Sequence, residues 1–285
     1  LKIKQDGAVT RVWFDDTYPG WEQWLFLRSD AHHDSAHCRR DLETKHLDDA
    51  IAKDALILDA GDMLDAMQGH YDPRRNYDDL RNEYKVANYY DAIEDDAIKH
   101  YSPYAKNWLL MARGNHETSV LKHANIDLTS RITGRLNRET GSAIIPGGYG
   151  GWVIFYFSEG GGKGNRSSLR LKYFHGSGGD APVTRGVIQT ARQAVYLPDA
   201  DIIWNGHNHN AYVLPIKRER ISAQGRLYFD TCWHIRTPGY KDDYSDGSGG
   251  WEVERGSVPK PQGGAWVRLY SEDHRVKAQA IPEMD

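Results

Sequence analysis

Five short segments of the sequence hold side chains of the types able to bind divalent cations: Asp30-Ala31-His32, Gly61-Asp62-Met63-Leu64-Asp65, Gly114-Asn115-His116-Glu117, His175-Gly176 and Gly206-His207-Asn208-His209. They offer carboxylate, imidazole and amide oxygen but no thiolate, a donor set suited to borderline and hard ions such as Mn, Fe, Zn or Mg. The candidate ligands Asp30, His32, Asp62, Asn115, His175, His207 and His209 are too many for one tetrahedral ion. They suit two ions about 3.5 to 4 Å apart sharing a carboxylate, the spacing that clamps the attacking and leaving oxygens of an in-line displacement. Residues i and i+2 of an extended segment face the same side, so Asp30 with His32, and His207 with His209, are expected as extended pairs facing one cluster. Gly61, Gly114 and Gly206 stand directly before ligands, where a sharp turn or positive φ lets the backbone approach the ions. Taken singly, each ligand reads better as a capping Asp or a hydrogen-bonded His. The ordered set carries the metal reading.

Such a set needs a scaffold that brings distant segments together. Short apolar runs predict strands at Trp24–Leu27, Ala55–Leu58, Trp108–Met111, Trp152–Phe157, Leu169–Phe174, Ile202–Trp204, Tyr212–Ile216, Leu227–Phe229 and Ala265–Tyr270. Helical spacing predicts helices over about Arg39–Lys53, Tyr77–His100, Leu128–Asn137 and Thr184–Tyr196. Each polar motif then follows a predicted strand, the place where α/β sheets deliver side chains into a ligand crevice. The first half alternates strand and helix and the second is mostly strand, which predicts an α/β fold of two mixed sheets packed as a sandwich with helices on the outer faces. One domain over 1–285 is expected, with glycine-rich surface excursions at Glu159–Ser168 and at about 238–264, the latter a candidate lid.

The chain has 285 residues, 39% apolar and 27% charged, enough for a substantial core. Its net charge of -4 excludes a global basic field that would draw it onto nucleic acid or an anionic membrane. The longest apolar run, around Trp152–Phe157, is too short to span a bilayer, so no membrane partner is expected. Cys38 and Cys232 make neither a disulfide framework nor a paired-cysteine metal site, which favours a cytoplasmic location.

In this order D-x-H, G-D-x-x-D, G-N-H-E, H-G and G-H-x-H, spanning Asp30 to His209, resemble the calcineurin-like metallophosphoesterase superfamily. The resemblance implies a four-layer αββα fold and binuclear metal-dependent hydrolysis of phosphate esters by metal-activated hydroxide. It implies two divalent ions, Mn foremost, with Asp30, His32 and His209 on the first, Asn115, His175 and His207 on the second, and Asp62 bridging. His175 is placed by position rather than by a long motif. His116 is implied as the catalytic residue, donating a proton to the leaving oxygen or stabilising its charge, with Asp65 orienting His116 or a loop. Purple acid phosphatases carry a Tyr ligand where this chain has Asp65, so a tyrosinate–iron site is not expected.

His33, His37, His70 and His234 read as surface or neighbouring residues, and the run His32-His33-Asp34 with His37 and Cys38 behind it either reaches the site or begins a helix. Arg113, Arg74 and Arg75 are candidate contacts for a substrate phosphate, while Arg185 reads as a solvated residue of a helix. The substrate is expected to be a phosphate ester, leaning to DNA or a nucleotide, hence phosphodiesterase or nuclease activity. Two basic stretches support that lean, Lys163, Arg166, Arg170 and Lys172, and Lys217, Arg218, Arg220 and Arg226. So do Trp233, Tyr240, Tyr244 and Trp251, read as stacking surfaces for bases. The alternatives are a phosphomonoesterase or protein phosphatase, and a non-enzymatic scaffold.

Overall fold

A computed structural model describes residues 1–68, 72, 80–162, 164, 166–178, 186–244, 251–254 and 256–285. The chain opens with β1 (Lys2–Asp6) and β2 (Val9–Thr17). It then alternates through β3 (Glu22–Arg28), α1 (Arg40–Ala52), β4 (Leu56–Asp59), α2 (Tyr89–Tyr101), β5 (Trp108–Met111), α3 (Asn115–Ala124), α4 (Leu128–Thr140) and the short β6 (Ile145–Pro146). The second half is mostly strand: β7 (Gly150–Glu159), β8 (Arg166–Phe174), α5 (Val187–Tyr196), β9 (Ile202–Asn205), β10 (Tyr212–Ile221), β11 (Leu227–Arg236), β12 (Gly263–Glu272) and β13 (Arg275–Met284).

The strands form a seven-stranded sheet, β1-β2-β7-β8-β9-β11-β10, and a six-stranded sheet, β13-β12-β3-β4-β5-β6. Both are mixed: β3, β4 and β5 run parallel in one and β8 and β9 in the other, with antiparallel strands beside them. Central parallel strands are covered on both faces, which is why β4 and β5 read as unbroken apolar runs. Leu25, Leu27, Leu58 and Leu110 meet Val153, Phe155, Leu171, Ile202 and Trp204 between the sheets. Phe26, Ile57 and Trp108 point the other way, against apolar residues of α1, α2, α3 and α4. On the opposite face of the seven-stranded sheet, Leu197 after α5 packs against Ile203 and Cys232. The layers run helix, sheet, sheet, helix, the α/β sandwich that the sequence predicts.

Several elements depart from prediction. The stretch Tyr77–His100 is not one helix; residues 77–79 lie outside the described residues, Asn82–Tyr84 is a short 3-10 turn, and only Tyr89–Tyr101 is α-helical. The predicted helix from Thr184 is described only as α5, because 184 and 185 also lie outside the described residues. Strands β1, β2 and β13 have no predicted counterpart. β1 is almost wholly exposed, and β13 turns only Val276 and Ala280 firmly inward, so neither shows an apolar run. The Glu159–Ser168 excursion is the tight link of the β7–β8 hairpin. The late segment also begins inside the protein, since Thr237 and Tyr240 are fully buried. Residues 245–250 and 255 of that segment lie outside the described residues. Among the described residues, no helix is long and apolar enough to cross a membrane.

Candidate metal centre

The candidate ligands lie just beyond β3, β4, β5, β8 and β9, and hydrogen bonds tie their loops together. Asp30 N donates to Gly61 O at 2.9 Å, His32 N to Asp62 O at 3.1 Å and His33 N to Met63 O at 2.9 Å, a short ladder between the loops after β3 and β4. Gly206 N donates to His175 O at 2.8 Å, and His207 N to Asp30 Oδ2 at 2.8 Å, so one buried carboxylate joins the two sheets.

Asp30 and His32 are not an extended pair, and neither are His207 and His209. All four adopt left-handed backbone, with φ of 52°, 48°, 75° and 53°, as does Asp62 at 55°. Convergence comes from tight turns rather than the alternation of a strand. Left-handed non-glycine residues are uncommon and cost of order 1 kcal/mol or more each, so they persist where surrounding structure holds them and cluster at functional sites.

The glycine expectation is met in two ways. Gly61 does have positive φ, at 108°. Gly114 is extended, and its need is space: an added Cβ would lie 2.0 Å from Asp62 Oδ1 and 2.4 Å from Asp62 N.

The side chains form two groups whose donor atoms lie within 4.8 Å of one another, Asp30/His32/His209 and Asp62/His175/His207. In the first, His32 Nδ1 faces Asp65 Oδ1 at 2.8 Å and its Nε2 faces His209 Nε2 at 3.3 Å. In the second, His175 Nδ1 lies 3.0 Å from the Ala60 carbonyl, which can only accept, so Nδ1 carries the hydrogen. His175 Nε2 then points at Asp62 Oδ2, 3.1 Å away, and Asn115 Oδ1, 3.0 Å away. Both imidazoles are oriented through Nδ1 with Nε2 turned inward, the arrangement that presents histidine to a metal. By distance Asp62 belongs to the second group, but its charge also acts on Asp30 and His32 in the first.

This donor set fits two divalent cations. Asp30, Asp62 and Asp65 are buried, and Asp30 Oδ1 has no hydrogen-bond partner. Burial works against ionisation of Asp30, yet His209, with Nε2 at 3.6 Å from Oδ1, and the charge of His175 carry it down to about 2. His175 shows the converse: burial opposes its charge, but Asp62 and Asp30 raise it to about 10. A proton is thus drawn to the position where a cation would sit. His207, facing that imidazolium, is held low by burial and by the charge of His175.

His116 opens α3 beside both groups. Its ring lies 4.7 Å from that of His32, its backbone N donates to Asp62 Oδ1 at 2.8 Å, and its Nε2 is 3.7 Å from Asp62 Oδ2. Asp65 orients two histidines by different atoms: its carbonyl accepts from His116 Nδ1 at 2.5 Å, and its carboxylate holds His32. Burial opposes the Asp65 charge, but Lys241, at 3.6 Å, and His32 hold its carboxyl far below the usual range. The sequence does not single out Lys241, which sits in the segment read as a surface loop.

Glu117 appears in the sequence reading only as part of a motif, with no role. Its carboxylate accepts from Gly114 N at 2.9 Å, Asp62 N at 3.1 Å and Leu64 N at 3.1 Å, pinning the β4 loop to the start of α3. Burial and the charge of Asp62 push its carboxyl up to about 7.

Other candidates lie elsewhere. Arg113 is bound to Asp127, at 2.5 Å, before α4. Arg74, Arg75, His70, Lys163 and Arg185 are outside the described residues. His33 and His234 are buried rather than superficial. Tyr240 is no stacking platform: it is fully buried against Ala31 and Cys38, with its hydroxyl 3.1 Å from His46 Nδ1. Trp233 packs near the inter-sheet core and donates to Ala278 O at 2.9 Å. Arg218 is neutralised by Asp230 at 2.7 Å and by Asp201 at 3.7 Å. It lies six residues along β10 from Tyr212, which is about 20 Å of extended chain away from the ligand end. Arg166 opens β8, at the end remote from His175, and Arg170 stands at the middle of that strand.

No protein-family model matches the sequence, and no curated protein is similar to it. Among solved structures, a predicted phosphoesterase from Streptococcus pneumoniae is 10% identical with a TM-score of 0.35, covering 92% of this chain and 90% of that one. Vacuolar Protein Sorting 29 from Cryptosporidium parvum is 11% identical with a TM-score of 0.38, covering 93% and 99%. GAP50, the anchor in the inner membrane complex of Plasmodium, is 13% identical with a TM-score of 0.45, covering 91% and 84%. Likenesses of this degree carry no argument about what the chain does.

Proposed function

We propose that the protein is a binuclear metal-dependent hydrolase of phosphate esters, a reading that rests on the motif resemblance and on one observation. That observation is the pair of adjacent donor groups, Asp30/His32/His209 and Asp62/His175/His207, with His116 beside both. Asn115 completes the second group through Oδ1. Two bound ions, Mn foremost, would offset the buried carboxylates, polarise a phosphoryl oxygen and lower the pKa of water toward neutrality.

The chain supplies positioning and a proton. His116 is held by the Asp65 carbonyl at Nδ1 and by its backbone hydrogen bond to Asp62, which directs Nε2 to within 3.7 Å of Asp62 Oδ2, on the side of the two donor groups. In the proposed mechanism the imidazolium form holds a proton at Nε2 and gives it to the departing oxygen, whose alkoxide would otherwise be a poor leaving group. Asp65 and the Ala60 carbonyl hold His32 and His175 in the tautomers that turn Nε2 inward. Glu117 fixes Asp62 and His116 relative to one another.

Of the residues behind the nucleic-acid lean, Tyr240 and Trp233 are committed to packing and Arg218 to acids. The proposal therefore stops at the phosphate ester. The test is hydrolysis of a phosphomonoester, a phosphodiester and single- and double-stranded DNA with Mn, Mg or Zn and after chelation, with Asp62→Ala as control. Chelator-sensitive turnover absent in the variant supports the reading, and the preferred ester assigns the branch. No turnover of any ester with both ions demonstrably bound would sink it in favour of a scaffold.

A further inference from the structure

Behind the loop that carries His32 lies another buried cluster, which the metal centre does not use. His33, Cys38 and Glu43 bring donor atoms within 4.8 Å of one another, and all three are buried. His100, in the last turn of α2, brings Nε2 to 3.6 Å from Glu43 Oε2, with its ring 4.3 Å from that of His33.

The two oxygens of Glu43 have separate partners. Oε1 accepts from Arg28 Nη2 at 2.8 Å and from the Tyr101 hydroxyl at 2.6 Å, which fixes the carboxylate. Oε2 is left facing His33 Nδ1, at 2.8 Å, and His100. On its far side, His33 turns Nε2 toward Asp96 Oδ2 at 3.3 Å. A carboxylate behind a histidine whose other nitrogen points at a cluster of donors is the usual support of a metal-bound imidazole. The Nε2 of His100 is buried with no hydrogen-bond partner, and Cys38 has no disulfide.

We propose that His33, His100, Glu43 and Cys38 form a third divalent-metal site, of the tetrahedral zinc type, separate from the binuclear centre. Thiolate, two imidazoles and one carboxylate make a softer set than the all-nitrogen-and-oxygen centre next door, and so select zinc over Mn or Mg. Metal–nitrogen bonds of about 2.0 to 2.1 Å and metal–sulfur bonds of about 2.3 Å place tetrahedral donors roughly 3.3 to 3.6 Å apart; His33, Cys38 and Glu43 reach that spacing by small side-chain movements, and His100, 3.6 Å from Glu43 Oε2, joins them by turning its ring toward the other donors. The rival occupant is a proton on His33, bridging Glu43 and Asp96. That accounts for His33 but leaves the His100 nitrogen unpartnered and the thiol unused. An ion here would tie the segment after β3 to α1 and α2, and so brace the backbone that follows His32 directly.

The test loads the full chain with Co²⁺ and reads metal content together with near-ultraviolet absorption. The binuclear centre contains no sulfur, so a thiolate-to-cobalt charge-transfer band reports this site alone, and Asp62→Ala should leave that band in place. We expect three metal equivalents per chain. Cys38→Ser should lose the band and one equivalent, and His100→Gln should lose that equivalent while keeping the other pair. Because the band is read on the unaltered protein, the result does not depend on whether Cys38→Ser folds. Absence of the band from fully loaded protein, or metal content unchanged in folded variants of both residues, overturns the proposal.

Discussion

Replacing Gly114 with alanine isolates close approach as the cause of the site's geometry. Its backbone is extended, at φ -100° and ψ -165°, so any L-residue accepts the dihedral angles and no conformational cost confuses the result. The added Cβ would stand 2.0 Å from Asp62 Oδ1, 2.4 Å from Asp62 N and 2.7 Å from Asp62 Cγ. Reaching a tolerable 3.0 to 3.4 Å requires Asp62 and the start of α3 to part by about 1.0 to 1.4 Å, and overpacking of that kind typically costs about 1 to 3 kcal/mol. A displacement of about 1 Å in a group aimed at a reacting centre costs roughly 100-fold in rate. The expected outcome is an unfolding free energy, from urea titration, lowered by about 1 to 3 kcal/mol, about 100-fold lower kcat/KM on the best ester, and weakened binding at the position that Asp62 serves. Gly141→Ala is the control, since it sits at φ 69° with nothing within 4 Å and should lose about 1 kcal/mol of stability with turnover intact. Gly114→Ala with metal content intact and kcat/KM within about threefold of the parent would refute the reasoning.

His116→Ala should keep both ions by elemental analysis while kcat falls by about 10² to 10⁴; unchanged turnover on every ester would remove His116 from the mechanism. In chelated protein, His175 is raised from 6.5 to about 10, so its contribution to stability is full below pH 6.5 and disappears as pH rises through 10. The Tm of the metal-free form should therefore drop across that window by more than in His175→Gln; equal drops would contradict the assignment. Loading metal must displace that proton, so calorimetry at pH 7 in buffers of different ionisation enthalpy should show proton release, and affinity should grow with pH. Arg28→Met leaves Glu43 and Asp59 buried without their cation and should cost about 3 to 5 kcal/mol in denaturant unfolding; a loss below 1 kcal/mol would show the pair to be dispensable.

The residues that cluster at the candidate metal centre were legible because metal chemistry restricts residue type, and because motifs at strand ends converge in an α/β sheet whatever the loops do. The central strands were legible from apolar runs that exist because both of their faces are covered. Backbone conformation was hidden, since nothing in the letters of Asp30-Ala31-His32 distinguishes an extended pair from two left-handed turns. Glu117 was hidden for a related reason: its work is done on backbone N–H groups, which leave no trace in the sequence of their owners. Tyr240 and Lys241 were misread because a tract rich in Gly, Asp, Ser and Pro resembles a solvated loop. The register of Cys38 against Lys241, the Tyr240 N to Asp30 O hydrogen bond and the Lys241–Asp65 ion pair bring that tract's beginning under the site.

The ladder between the β3 and β4 loops, together with the left-handed turns it encloses, keeps its form through hydrogen bonds that involve no ion. Removing the cations should therefore leave a standing mould, unlike a zinc finger, whose polypeptide collapses without its metal. A mould of this kind exchanges its contents by transmetallation, at a rate set by ion dehydration and ligand release rather than by refolding. On the proposed metal reading, which ion it holds would follow the concentrations around it and the affinity order of first-row metals, so preparations from media of different metal content should differ in activity.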